Sequence, residues 1–249
     1  MATPHYPAAT PLSGSNLLAA LRESDREILA SRLVEQTLPR GHVLCDAGDS
    51  VRHCYLRRFE AAGAFVVLME TGFAVETAVV GREGALGGIV SRGHVPAFAR
   101  ATVLVPGSFY RISAADLESA KEASPAIGAL FTRYADCLVA QVFQAVACNA
   151  SHTILQRAAR WLVAAVERGS TPEILLTQEQ FAGLLGVGRS YASRVIQQLK
   201  GEGLVATRRG ALRISDYDAL KTRACDCNNA VREHFDRVLE GVYPPEPDI

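Results

Sequence analysis

The spacing of apolar residues changes character along the chain. Leu17, Leu18, Leu21, Ile28, Leu29 and Leu33 fall on roughly one side of a helix, so residues 17–33 are expected to be helical. From Leu38 to Ile112 the apolar runs are short: Phe65–Leu68, Val75–Val80, Ala101–Val105 and Tyr110–Ile112. Gly and Pro punctuate them, among others at Gly48, Gly63, Gly81, Gly93 and Pro106. Short strands at regular spacing predict a β-barrel or roll. Ser113 then opens a helix as its cap, with Asp116 at the third helical position. The longest helix is expected from about Pro125, a residue suited to a first turn, to Asn149. Ile127, Phe131, Tyr134, Leu138, Val142 and Ala145 form one stripe on it, and Leu130, Cys137, Gln141, Gln144 and Cys148 a neighbouring one. A helix apolar on more than one side must bury against its own domain and against something else. The economical partner is the same helix of a second copy. Ile127, Leu130, Phe131, Tyr134, Leu138, Gln141, Val142 and Ala145 are the candidate contacts. The competing reading is one helix buried inside one domain.

A further helix is expected over His152–Glu167, with Ile154, Leu155, Ala158, Trp161, Leu162 and Ala165 inward. Thr177 and Gln180 then stand three apart, as in a capping box. Phe181, Leu184 and Leu185 face a core, Gly186 permits a turn, and Val187 plugs it. A second short helix starts near Arg189, with Ala192, Val195, Ile196 and Leu199 inward and Arg189, Ser190, Ser193, Arg194 and Gln197 outward. Leu204–Ala206 and Leu212–Ile214 pair around Arg208-Arg209-Gly210 as a hairpin, and a last helix is expected from Asp216 to Glu240. Two short helices joined by a tight turn and followed by a hairpin are the layout of a winged helix-turn-helix, which sets its second helix in the DNA major groove.

Composition supports a globular chain: 49 % of the 249 residues are hydrophobic. The formal net charge is zero, which by itself argues against a DNA binder. Its distribution argues the other way. Residues 151–215 hold nine Arg or Lys against four Glu, a net +5, while residues 216–249 hold four basic and eight acidic residues, a net −4. The positive charge sits on the helix-turn-helix pattern, where phosphate contacts need it. With no run of 18 apolar residues and no basic, apolar leader, neither a transmembrane helix nor a signal peptide is expected. The six Cys are scattered, which suits a cytoplasmic protein with reduced thiols.

Three stretches resemble the Crp/Fnr superfamily of bacterial transcription regulators. The strongest is Leu176–Ile214. The second is Ala147-Cys148-Asn149 with His152, Arg157 and Ala159-Arg160-Trp161-Leu162. The third is Val80-Gly81-Arg82-Glu83-Gly84, leading to Val103–Ile112. The resemblance implies an α+β chain: an N-terminal β-roll like a cyclic-nucleotide-binding jelly roll, a long dimerisation helix and a C-terminal winged helix-turn-helix. The expected boundaries are a loose arm over 1–16, a sensor roll with flanking helices over 17–122, the dimerisation helix over 123–150, the DNA-binding domain over 151–216, and a C-terminal helix and tail over 217–249. The resemblance also implies a homodimer on double-stranded DNA at a palindromic operator, with RNA polymerase as a candidate further partner.

By resemblance, Arg189 matches a position that contacts guanine or phosphate, Arg194 one that contacts guanine, and Ser193 one that contacts a base or phosphate. An arginine fork suits guanine O6 and N7 and gives about 1–3 kcal/mol of discrimination. Ser190 stands where the family often has Glu, Tyr191 where Thr is frequent, and Gly188 where Ser usually caps, so the target sequence is expected to differ from the best-known sites. Gln197 and Thr177 complete the candidate DNA-binding set, with Lys200, Arg208 and Arg209 as phosphate contacts or plain surface charges. The cyclic-AMP branch holds its ligand with a Gly-Glu pair and a later Arg followed by Ser or Ala. Here no Gly-Glu step follows Glu83-Gly84, and His94-Val95-Pro96 fills the Arg slot. Arg82, Glu83, Leu86, His94 and Arg100 are the candidates for a different effector pocket.

No cofactor and no metal are expected. No Cys precedes Cys45, against an N-terminal iron–sulfur cluster, and Cys225-x-Cys227 offers two ligands where a tetrahedral site needs four. Cys137 and Cys148, three helical turns apart, are read as packing residues on one face, and His152 as a hydrogen-bonding residue where two helices join. No nucleophile–base pair, metal cluster or phosphate loop marks an enzyme. The sequence therefore reads as a DNA-binding regulator not controlled by cyclic AMP. The alternative is a small-molecule or redox sensor that signals through protein contacts and carries a vestigial DNA-binding domain.

Overall fold

A computed structural model describes residues 12–70, 74–89, 95–169 and 171–243. Most of the arm expected over 1–16 therefore lies outside the described residues, as does the end of the C-terminal tail. Helices α1 (Asn16–Ala19) and α2 (Glu23–Ala30) lead into strands β1 (Val34–Leu38), β2 (Val43–Cys45), β3 (His53–Arg57), β4 (Ala62–Leu68), β5 (Ala74–Val80), β6 (Ala85–Gly87), β7 (Arg100–Val105) and β8 (Gly107–Ser113). Among the described residues the strands form two four-stranded sheets, ordered β1-β8-β3-β6 and β2-β7-β4-β5, with antiparallel pairing throughout. This is the β-roll expected from the short apolar runs. Leu38, Tyr55, Val80, Leu86, Ala101, Val103 and Phe109 fill its interior. Leu86 reaches so far inward that a Cβ on Gly63 would sit 2.2 Å from its Cδ1.

Helix α3 (Ala114–Ala123) opens on Ser113, whose Oγ accepts from the Asp116 N–H at 3.0 Å, as its sequence predicts. Helix α4 (Pro125–Ser151) follows, with Ser124 as cap and Pro125 in its first turn. Its 27 residues span roughly 40 Å. The face carrying Ile127, Leu130, Phe131, Tyr134 and Cys137 packs on the outside of the roll with Leu17, Leu18 and Leu117. The Tyr134 hydroxyl donates to the Ala85 carbonyl at 2.9 Å, and burial pushes its pKa far up, so it stays a donor. Tyr134→Phe is expected to cost about 1 kcal/mol, one buried hydrogen bond, with the ring packing kept. The urea midpoint of the full chain measures it, and an unchanged midpoint would remove that bond from the account.

The chain then builds α5 (Ile154–Gly169), β9 (Glu173–Leu175), α6 (Gln178–Leu185), α7 (Arg189–Gly201), β10 (Val205–Arg208) and β11 (Ala211–Ile214). These elements share a second core of Trp161, Leu162, Phe181, Leu185, Ala192, Ile196, Leu199, Leu212 and Ile214. That core leans on the roll. Leu104 of β7 packs against it, the Trp161 Nε1–H donates to Glu76 Oε1 at 2.8 Å, and the α6 residue Gly183 lies so close to the Ala74 carbonyl that an added Cβ would sit 2.9 Å from it.

The single last helix expected over Asp216–Glu240 is two. Helix α8 (Tyr217–Arg223) ends at Ala224, whose extended backbone breaks the helix, and α9 (Cys227–Leu239) restarts after Asp226 and ends in a 3-10 turn at Glu240–Val242. Helix α9 returns along α4 in the opposite sense. Phe235 meets Tyr134 edge to face, the Val238 carbonyl accepts from Arg133 Nη1 at 2.8 Å, and Gln144 Nε2 donates to Cys227 Sγ at 3.1 Å. Beyond it the Tyr243 hydroxyl donates to Asp25 Oδ2 at 2.6 Å and accepts from the Arg22 N–H at 2.7 Å.

Candidate nucleic-acid interface

The Thr177–Gln180 box forms as its spacing predicts. Thr177 Oγ1 accepts from the Gln180 N–H at 3.1 Å, and Gln180 Oε1 accepts from the Thr177 N–H at 2.9 Å. Helix α6 ends on Gly186 in the left-handed region, φ +64°. There Val187 N–H donates to the Ala182 carbonyl and Gly186 N–H to the Gly183 carbonyl, the paired bonds of a Schellman stop. Only a residue without Cβ takes that backbone cheaply. It turns the chain within Gly186-Val187-Gly188, and α7 starts directly after. Gly188 caps α7 without a side-chain bond.

Ala192, Val195, Ile196 and Leu199 of α7 are buried, while Arg189, Ser190, Arg194, Gln197 and Lys200 are exposed and Ser193 is half-buried. The Arg194 guanidinium lies 4.9 Å from the centroid of the Tyr191 ring, so the aromatic that stands in place of a Thr gives the arginine a stacking surface. The hairpin forms with Arg208 opposite Ala211 and turns through Arg209-Gly210, where Gly210 has φ +71°. Arg209 is exposed at its tip, and Arg208 lies 3.8 Å from Glu173 Oε2. Strand β9, which the sequence reading missed, pairs with β11 and carries Glu173. Its three residues, Glu173-Ile174-Leu175, are too few for a readable alternation. Thr177, Arg189, Ser190, Ser193, Arg194, Gln197, Lys200, Arg208 and Arg209 thus lie on the two helices and hairpin of one motif, Ser193 alone not fully exposed.

The candidate interface on α4 needs correction. Ile127, Leu130, Phe131 and Tyr134 are buried in their own chain's core, and Gln141 Nε2 donates to the Val79 carbonyl at 3.0 Å. The four apolar side chains have no face left for a partner, while Gln141 is half-buried. Leu138 and Ala145 are half-covered, and Val142 is exposed. The uncovered stripe is Val139, Val142, Phe143 and Val146, with Phe143 70 % and Val146 63 % exposed. By length and composition alone α4 is long and apolar enough to cross a membrane, as the core helix of a folded domain can be, and one face of it packs in the roll core.

The described effector candidates separate, with Arg82 and Glu83 side by side and Leu86 and Arg100 engaged elsewhere. Arg82 is exposed, Glu83 Oε1 accepts from the Gly81 N–H at 3.1 Å, and Leu86 is in the roll core. Arg100 is held by both oxygens of Asp46, at 2.9 and 2.8 Å, a pairing that also keeps the Asp46 carboxyl below its usual range. His94 lies outside the described residues. Arg82 and Glu83 do line a cleft of about 1510 Å³ that opens between β4–β5 and the helices α4, α5 and α9, together with Glu76, Gln144, Arg157, Arg160, Trp161 and Arg232 among others. The reading of Cys225 and Cys227 as an isolated pair is also overturned. Cys148 and His152 stand beside them, with burial pushing the Cys148 and Cys225 thiols up. The signal was present as two pairs, Cys148-x3-His152 and Cys225-x-Cys227, but only the return of α9 along α4 joins them.

A family model for the Crp-like helix-turn-helix domain matches residues 156–223. No curated protein matches the sequence. Solved structures do match the fold. A protein from Eubacterium rectale ATCC 33656, described as a transcriptional regulator of the Crp/Fnr family, is 16% identical with a TM-score of 0.66, covering 83% of this chain and 96% of that one. FixK2 from Bradyrhizobium japonicum is 14% identical with a TM-score of 0.63, over 78% of this chain and 98% of its own. The c-di-GMP responsive global regulator CLP of Xanthomonas campestris is 14% identical with a TM-score of 0.64, over 78% and 100%. Residues 156–223 are a Crp-like helix-turn-helix domain, carried on a chain with the fold of the Crp/Fnr transcriptional regulators.

Proposed function

We propose that this chain is a cytoplasmic, sequence-specific DNA-binding transcription regulator that acts as a homodimer on a two-fold symmetric operator without cyclic AMP. The observation that carries the reading is α7. Its apolar face is locked into the domain core, and its other face presents Arg189, Ser190, Arg194 and Gln197 to solvent on a helix-turn-helix. The local charge of +5 over residues 151–215 supports phosphate binding. The exposed apolar stripe on α4 supports a second copy as partner, since Val139, Val142, Phe143 and Val146 recur at the three- and four-residue spacing of a helix–helix seam. The sensor roll supports independence from cyclic AMP. Leu86 fills its interior and Arg100 is neutralised by Asp46, so neither offers a cyclic phosphate a site.

Selection of binding sites from random duplexes with the purified chain tests this. A palindromic site held at nanomolar affinity, unchanged by cyclic AMP, is the expected result; no selected site at moderate salt would defeat the proposal. Arg194→Ala should weaken the selected site by roughly 5–150-fold, the range of one bidentate arginine–guanine pair, and relax preference at one base of each half-site. Lys200→Ala should weaken all sequences alike and lower the salt slope by about one. Equal loss on specific and random duplexes for Arg194→Ala would assign it to phosphate instead.

A further inference from the structure

Cys148 Sγ, His152, Cys225 Sγ and Cys227 Sγ offer four ligand atoms that all lie within 4.8 Å of one another. The Cys148 and Cys225 sulfurs are 3.6 Å apart, and Cys227 Sγ is 3.6 Å from His152 Nδ1. Zinc binds thiolate at about 2.3 Å and imidazole at about 2.0–2.1 Å, so a regular tetrahedron has S···S edges of about 3.8 Å and S···N edges of about 3.6 Å. The two measured pairs match such edges, and the other pairs exceed them by no more than about 1 Å, so the four side chains can close on one ion.

Local structure explains why they converge. Cys148 and His152 are four residues apart at the end of α4, on one face, and the His152 N–H donates to the Cys148 carbonyl at 3.0 Å. Cys225 lies in the break between α8 and α9, and Cys227 opens α9. The turn at Asp226, φ −79° and ψ 8°, lets both thiols reach the same point. The three Cys are buried and His152 is half-buried. Gln144 Nε2 donates to Cys227 Sγ at 3.1 Å, the kind of outer hydrogen bond that orients a ligand. Arg157 and Arg160 act electrostatically on the cluster and would offset the net negative charge of three thiolates on a divalent ion. Gln144, Asn149, Arg157, Arg160 and Cys227 also line the large cleft, which provides an entry path.

We propose that Cys148, His152, Cys225 and Cys227 form a tetrahedral site for a divalent transition-metal ion of the zinc type. Three sulfurs and an imidazole select such an ion over magnesium, calcium or manganese. Four protein ligands leave no open position, so the site is structural. Binding displaces the proton of each thiol. The ion would fasten the end of α4, the α4–α5 junction and the α8–α9 corner to one another, which joins the helix of the sensor roll to both ends of the helix-turn-helix domain. The inference does not depend on whether the chain binds DNA.

The full-length protein, purified under reducing conditions without chelator, should contain about one equivalent of zinc. After removal of the metal, cobalt(II) titration should give the visible d–d bands of a tetrahedral ion and thiolate-to-metal charge transfer, both abolished by added zinc. Cys225→Ser and His152→Ala should lose that spectrum, and Cys45→Ser should keep it. Gln144→Ala, which leaves all four ligands, should weaken cobalt binding by about 10–100-fold and covers the case in which a ligand variant fails to fold. Chelation should lower the thermal midpoint of the wild type and leave that of Cys225→Ser unmoved. The proposal is overturned by the lack of any saturable cobalt spectrum in the reduced protein, by binding that survives Cys225→Ser, or by a Cys148–Cys225 disulfide standing in place of the metal.

Discussion

Phe181→Ala is expected to unfold the helix-turn-helix domain well before the roll. Phe181 is fully buried at the centre of a core that also holds Leu162, Leu185, Ala192, Ile196 and Leu199. Its ring meets Trp161 edge to face with centroids 5.9 Å apart. Removing a buried Phe ring leaves a cavity and costs about 3–5 kcal/mol. That is a large share of the roughly 5–15 kcal/mol that stabilises a whole domain. Trp161 is the chain's one tryptophan, so its fluorescence reports this core. With a slope of about 1–3 kcal/mol per molar urea, the Trp161 transition should fall by about 1–3 M or more. Gln197→Ala, on the exposed face of α7, should shift it by less than about 0.5 kcal/mol. DNA binding should disappear with the fluorescence transition in the first variant. A Trp161 midpoint that does not move would mean that Phe181 does not hold this core together.

The helix-turn-helix was legible because every level of its sequence agrees. The cap at Thr177, the glycine at 186, the inward row of Ala192, Val195, Ile196 and Leu199, and the glycine at the tip of the hairpin each specify a local conformation, and all are compatible with one fold. The roll was legible as a class from its short runs, though not in its strand order, because pairings such as β1 with β8 join residues far apart in sequence. Arg100 was a poor effector candidate for a related reason. Arg100 is an unpaired cation in the sequence, and only the fold shows that Asp46 claims it. Helix α4 misled most. It is apolar on most of its circumference, so its periodicity says that several faces are covered but not by what. Two of those faces are satisfied within the chain: one by the roll through Ile127 and Phe131, the other by α9 through Arg133 on the Val238 carbonyl and Gln144 on Cys227. The break at Ala224-Cys225-Asp226 that lets α9 return carries no Pro or Gly. The same return assembled the Cys148–His152–Cys225–Cys227 cluster.

With those faces accounted for, Val139, Val142, Phe143 and Val146 remain uncovered. Phe143→Asp is therefore expected to convert the proposed dimer into a monomer. In the separate chain the side chain is 70 % exposed, so the substitution touches no packed core and should leave the Trp161 urea transition within about 0.5 kcal/mol of wild type. In a paired helix seam the same aspartate would be a buried charge without a partner, costing several kcal/mol per copy. Symmetry doubles the effect, because each interface across a two-fold axis contains both copies of residue 143. Operator affinity should fall further than for any single base contact. Two coupled reading heads bind their two half-sites about 10²–10⁴-fold more tightly than one head binds alone, and uncoupling them forfeits that factor. Sedimentation equilibrium gives the mass, and gel shifts with the selected palindrome and with an isolated half-site give the affinities. A monomer that binds palindrome and half-site alike is the expected outcome. A variant that remains dimeric with full operator affinity would place the interface elsewhere and leave the exposed stripe on α4 without a role. Comparison with Leu138→Asp separates the two cases, since Leu138 is partly buried against the roll-side core and its substitution should also disturb folding.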